Sequence, residues 1–115
     1  MAFNDFDMKR IEKATDAFLA KRRPPAHIRA DLDIGYRISG QSVEILEIRS
    51  QWDDRSIVHQ HPIAKATYVR TQNHWTVFWM RASLKWQSYE PVPTVASIGE
   101  FLQVVDADAH GCFFG

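Results

Sequence analysis

The sequence is short of cysteine, of net charge and of long apolar runs, and each shortage excludes something. Cys112 is the only cysteine in 115 residues, so no internal disulfide can form. Fourteen basic residues balance fourteen acidic ones, which leaves charge to act only where it is locally concentrated. No stretch reaches the roughly eighteen apolar residues needed to span a bilayer. Residues 1–10, MAFNDFDMKR, carry charges where a secretory signal would carry an apolar run. A cytoplasmic protein with no membrane partner is the expectation, and no signature calls for a cofactor.

What is present fits one domain spanning residues 1–115. With 45% hydrophobic and 24% charged residues the composition is that of an ordinary soluble fold. About two-thirds of the unfolded chain's surface can be buried at this length, enough for one core without metal or disulfide. The charges are unevenly placed. No acidic residue occurs between Asp54 and Glu90, whereas Arg55, Lys65, Arg70, Arg81 and Lys85 all fall there. After Glu90 the sign reverses, with Glu100, Asp106 and Asp108 and no lysine or arginine. Either the basic stretch makes a positive field for an anionic ligand, or the acidic end folds beside it and cancels it.

Hydrophobic spacing predicts the elements. Met8, Ile11, Thr15, Phe18 and Leu19 line one face of a helix over Asn4 to Arg22, with Asn4 as N-cap and Phe3 and Met8 placed as a staple. Pro24 and Pro25 stop it. Leu32, Ile34, Tyr36 and Ile38 alternate with polar residues as in a half-buried strand. A two-residue turn at Gly40-Gln41 would set Ile38 against Val43, Arg37 against Glu44 and Tyr36 against Ile45, two apolar pairs and one charge pair in a single register. Leu46 and Ile48 then point to the other face, which calls for a bulge or for cover on both faces. Arg49 to Pro62 reads as a long polar connection.

Strands are predicted at Ile63 to Arg70, Trp75 to Arg81 and Leu84 to Tyr89. Turns of even length would pair Ala66 with Trp79 and Trp79 with Trp86, placing Ala66, Tyr68, Val77, Trp79, Leu84 and Trp86 on one face. Lys65, Thr67, Thr76, Phe78, Met80, Lys85 and Gln87 would share the other. Ser97 and Glu100 form a capping box before Ile98, Phe101, Leu102 and Val105 at helical spacing. Phe113 and Phe114 are expected to tuck against the body. The fold class is therefore α+β, an N-terminal helix, a five-stranded antiparallel meander and a C-terminal helix, with both helices on the tryptophan face.

Several constellations invite a chemical reading. Phe78 and Met80 beside Lys65, Arg81 and Lys85 suit a surface that stacks bases and neutralises phosphates, or one buried by the 49–62 connection or in a homodimer. His59 and His61, two apart with Asp53 and Asp54 nearby, match no strong zinc spacing, and no metal site is assigned to them. Glu44, Glu47 and Lys65 invite comparison with metal-dependent nucleases, but Glu44 already has a partner in Arg37. Cys112 and His110 lack a third orienting group, so no catalytic residue is assigned. The reading is a non-catalytic binding or interaction module using a basic, partly apolar sheet face, with nucleic acid or another anionic ligand as the alternative.

The chain also resembles a family. Arg22-Arg23-Pro24-Pro25, Gly40-Gln41-Ser42-Val43-Glu44, Glu47-Ile48-Arg49 with Trp52, Ala64-Lys65-Ala66, Trp75 with Trp79, Arg81, Lys85-Trp86, Tyr89 with Pro91, and the ending Gly111-Cys112-Phe113-Phe114-Gly115 look like the bacterial proteins grouped as domain of unknown function 3024. In that pattern a histidine often follows the Lys-Trp pair, where this chain has Gln87. The resemblance implies kinship over nearly the whole chain and no particular activity, substrate or cofactor.

Overall fold

The computed structural model describes residues 3–114, so Gly115 of the apolar ending and the first two residues lie outside the described part. Helix α1 spans Asp5–Arg22, strands β1 to β6 span Leu32–Ser39, Ser42–Ser50, Val58–Val69, His74–Met80, Trp86–Ser88 and Thr94–Val95, and helix α2 spans Ile98–Ala107. The sheet is antiparallel in the order β1-β2-β3-β4-β5, with β6 paired to β4 beyond β5. Both helices cover one face of it. Ile11 and Phe18 of α1 and Ile98, Phe101, Leu102 and Val105 of α2 join Val43, Ile45, Ala64, Ala66, Trp75 and Val77 in one buried cluster.

The helices start where side chains can satisfy free amides. Asn4 caps α1 and accepts from the Asp7 N–H at 2.8 Å, while the Asp7 carboxylate accepts from the Asn4 N–H. Phe3 stacks on Trp75, with ring centroids 5.5 Å apart, which ties the start of α1 to β4. Ser97 caps α2 by accepting from the Glu100 N–H at 3.2 Å, and the Glu100 carboxylate accepts from the Ala96 N–H.

The β1–β2 hairpin has the expected register. Ile38, Arg37 and Tyr36 face Val43, Glu44 and Ile45 across Gly40-Gln41, and Gly40 takes a φ of 58° that its missing Cβ permits. A bulge does occur here, but on β3, so β2 stays regular and Leu46 keeps to the face opposite Ile45, where it is buried and that face is covered locally. Ile45 pairs with Ala64 but Leu46 pairs with Pro62, so Ile63 is the extra residue. Arg49 to Pro62 is not a long connection. Strand β2 continues to Ser50 and β3 begins at Val58, leaving only residues 51–57 between them. The polar side chains that suggested a loop belong to a strand whose outer edge meets water, where hydrophobic alternation is not required.

Turn lengths decide the remaining faces. Between β3 and β4 the connection is four residues, Arg70 to Asn73, and Ala66 pairs with Val77 rather than Trp79. That is a shift of two residues, so the faces keep their assignment. Between β4 and β5 the expected two-residue turn is wrong. The Leu84 N–H donates to the Arg81 carbonyl and the Arg81 N–H to the Lys85 carbonyl, which closes a three-residue loop with Leu84 at φ 64°. An odd loop reverses the parity. Met80 pairs with Trp86, so Trp86 joins Phe78 and Met80, whereas Gln87 faces Trp79 on the helix side and Leu84 is 76% exposed. The meander is therefore corrected at both ends of this turn, and Tyr89 rather than Trp86 fills the core.

Arg23, just past α1, clamps the helix end to β1 by two hydrogen bonds to the Asp33 carboxylate, at 2.9 and 2.6 Å. These bonds hold the Asp33 carboxyl below the usual carboxylate range. The unfolded chain then binds more protons than the folded one in that window, so the clamp's stabilisation is complete above the ordinary carboxylate pKa and fades as pH falls through the lower folded value. Urea unfolding between pH 7 and pH 3 should show a smaller acid loss in Asp33→Asn than in the parent; equal slopes would refute the clamp. Leu84→Gly removes left-handed strain at an exposed site, and thermal unfolding should rise by about 2–5 °C after the cost of a looser unfolded chain. A fall would show that the Leu84 backbone is not strained.

Candidate binding face

The sheet face opposite the helices is built from rows that cross the strands. One row runs Arg37, Glu44, Lys65, Phe78 and Ser88, following the pairings from β1 to β5. Beside it Ser39, Ser42, Thr67, Thr76 and Thr94 form a row of five hydroxyls, with Ser42 and Thr67 bonded at 2.8 Å. On the other side lie Met80 and Trp86, directly paired. Phe78, Met80 and Trp86 are each half-buried.

Lys65 is the centre of this face. Its Nζ sits 4.8 Å from the Phe78 ring centroid and 4.7 Å from that of Trp86, so one ammonium bridges two aromatic rings. Glu44, directly opposite on β2, is occupied by Arg37 at 3.1 Å. That pairing matches the expected cross-strand partner and leaves the lysine to the rings. Of the five residues singled out from the sequence, Lys65, Phe78 and Met80 lie together on this face. Arg81 and Lys85 do not join them, because they oppose each other across the β4–β5 turn on the other pleat, both exposed. Trp86 was missed as a member. Only a glycine or asparagine at position 84 would have signalled a left-handed three-residue turn, and the residue there is leucine.

The acidic end does not cancel these cations. Asp106 pairs with Lys21 at 2.7 Å and Arg22 at 3.5 Å, both on α1. Glu100 is held by its own helix start, and the Asp108 carboxylate accepts the Phe113 and Phe114 N–H groups at 3.0 Å each. Phe113 packs on Tyr89 at 4.9 Å, and Arg22 lies 4.1 Å over the Phe114 ring, so the ending is tucked in as expected.

The other constellations fall apart in space. Glu44 and Lys65 share the open face, but Glu47 sits on the opposite pleat and pairs with Arg49, so the nuclease-like set is not assembled. His59 and His61 stand side by side on exposed β3 with ring centroids 6.0 Å apart. Asp53 and Asp54 are turned to Gln51 and Ser56, and among the described residues no group of three His, Cys, Asp or Glu is placed to hold a metal. The Cys112 thiol approaches the His110 carbonyl at 3.9 Å and packs against the core cluster. On the helix side Arg22, Pro24, Glu47, Arg49 and Phe114 border an open cleft of about 260 Å3, but both of its arginines are already paired.

The family described as Domain of unknown function (DUF3024) matches residues 3–115. The chain belongs to that family. This DUF3024 protein shows no significant match to any curated protein or to any solved structure. Its α+β architecture and open face therefore rest on its own geometry. Among the described residues no helix is long and apolar enough to cross a membrane.

Proposed function

We propose that the protein is a non-catalytic cytoplasmic binding module whose open sheet face takes single-stranded nucleic acid. The observation that supports this most is the Lys65 ammonium between the Phe78 and Trp86 rings on a face that neither helix covers. Unpaired bases stack on exposed rings whatever their identity, and a nearby cation neutralises the phosphate between them. The hydroxyl row from Ser39 to Thr94 supplies donors along the same face for sugar and phosphate oxygens. Arg81 and Lys85 at the exposed turn extend the positive field beyond the sheet's end. The acidic groups that would have quenched that field are committed to α1 and to the chain's own backbone. The single cysteine, unable to form an internal bridge, suits a reducing compartment.

Fluorescence anisotropy with a labelled single-stranded oligonucleotide checks this reading. Binding at low ionic strength should weaken steeply as salt rises. Trp86→Ala and Phe78→Ala should each weaken it by about 5- to 150-fold, the equivalent of ~1–3 kcal/mol per lost stack. Lys65→Ala should lower affinity and reduce the salt slope by about one. Absence of binding at low salt sinks the proposal. A dimer that Trp86→Glu converts to a monomer would instead make the face a subunit interface.

A further inference from the structure

The β2–β3 arm carries a feature that the open face does not use. Strand β3 pairs with β2 from Val58 onward, but with β4 only from Ala64 onward, so the outer edge of Val58 to Ile63 has no strand beside it. The direction of its backbone groups follows from two bonds. The Gln51 N–H donates to the Ile57 carbonyl and the Ser50 N–H to the Asp31 carbonyl. Because bonded and non-bonded pairs alternate in an antiparallel ladder, Ile57, His59 and His61 bond to β2, while Val58, Gln60 and Pro62 turn their backbone groups outward. Pro62 has no N–H to offer and sits where none is required by β2. The Val58 and Gln60 N–H groups remain, with the carbonyls of all three residues.

This edge lacks the usual protection. Residues 58–63, VHQHPI, contain no lysine, arginine, aspartate or glutamate, and only Pro62 blunts one position. Large apolar side chains are exposed next to it, Trp52 at 92%, Val58 at 55% and Ile57 at 41%. His59 and His61 share one pleat, on the side opposite Phe78 and Trp86, and supply two imidazoles where a tetrahedral cation needs four ligands.

We infer that two copies of the chain pair antiparallel through this edge and hold one zinc ion, or a divalent cation of similar preference, between the His59 and His61 side chains of both. A two-fold axis at Gln60 makes the contact isologous. The two Gln60 residues then exchange both backbone bonds, and each Val58 N–H donates to the other copy's Pro62 carbonyl. His59 of each copy falls opposite His61 of the other. The four imidazoles form one cluster on one pleat, with neighbouring residues about 5–7 Å apart at Cβ, a span imidazoles close onto a metal. A register centred on His59 makes as many backbone bonds but spreads the outer histidines too far to share an ion, so the metal selects the register. A single chain cannot complete the site, in keeping with the lack of a third ligand among its described residues.

Sedimentation velocity and metal analysis of untagged, metal-stripped protein with added zinc test this. A monomer should become a dimer holding one zinc per two chains, and chelator should reverse it. His61→Ala should abolish both the bound metal and the dimer. Gln60→Pro should remain folded by circular dichroism, since that N–H faces away from β2, and stay monomeric with zinc present. Trp86→Ala should dimerise like the parent, which separates this contact from the open face. Zinc bound one to one by a monomer, no zinc bound, or a zinc dimer that survives Gln60→Pro would each overturn the inference.

Discussion

Side chains alternate across a strand, so each connection in an antiparallel sheet decides by its residue count which face the next strand presents. In this protein two amphipathic helices must bury their stripes against one face, and the sheet can supply only one that is apolar throughout. Val43, Ile45, Ala64, Ala66 and Val77 meet that demand, each with no exposed surface. Small Ala64 and Ala66 in the middle let Phe101 and Val105 approach the sheet closely, and both are fully buried. The other face is free of that requirement. It carries hydroxyls, a charge pair and the Lys65 cluster instead.

The three-residue turn at Ala82 to Leu84 has the largest consequence for the open face. It moves Trp86 from the core to the ring pair that flanks Lys65 and brings Gln87 across from Trp79. The core loses little by this. Tyr89, Phe113 and Val95 fill the same end of the sheet, and the chain resumes pairing with β4 after the Pro91–Pro93 detour, where the Val77 N–H donates to the Pro93 carbonyl. A tryptophan is thus available on a surface because the core is closed by residues farther along the chain.

Electrostatics follow the same division. Each acidic residue of the C-terminal part that makes an ion pair or cap does so with a helix or with its own backbone, and in the basic middle of the chain Arg55 is paired with Asp31 instead.

Much of the fold was legible from residues alone. The caps at Asn4 and Ser97, the Gly40-Gln41 hairpin and its register, and the helical stripes all depend on neighbours within a few positions, where local sterics and hydrogen bonding decide. The arm at Val58 to Pro62 was not legible, because an exposed strand needs no alternation and its histidines and proline read as loop. Nor was the place of Trp86, since a leucine forced into left-handed geometry leaves no trace in the residue type. The sequence by itself determined which surfaces are apolar, where the helices begin and end, and that Lys65 and Phe78 share a face. Tertiary structure alone decided that the acidic end turns to α1 and that Trp86 stands beside Lys65. Those two facts depend on what packs against what across the whole chain, and no local pattern records them.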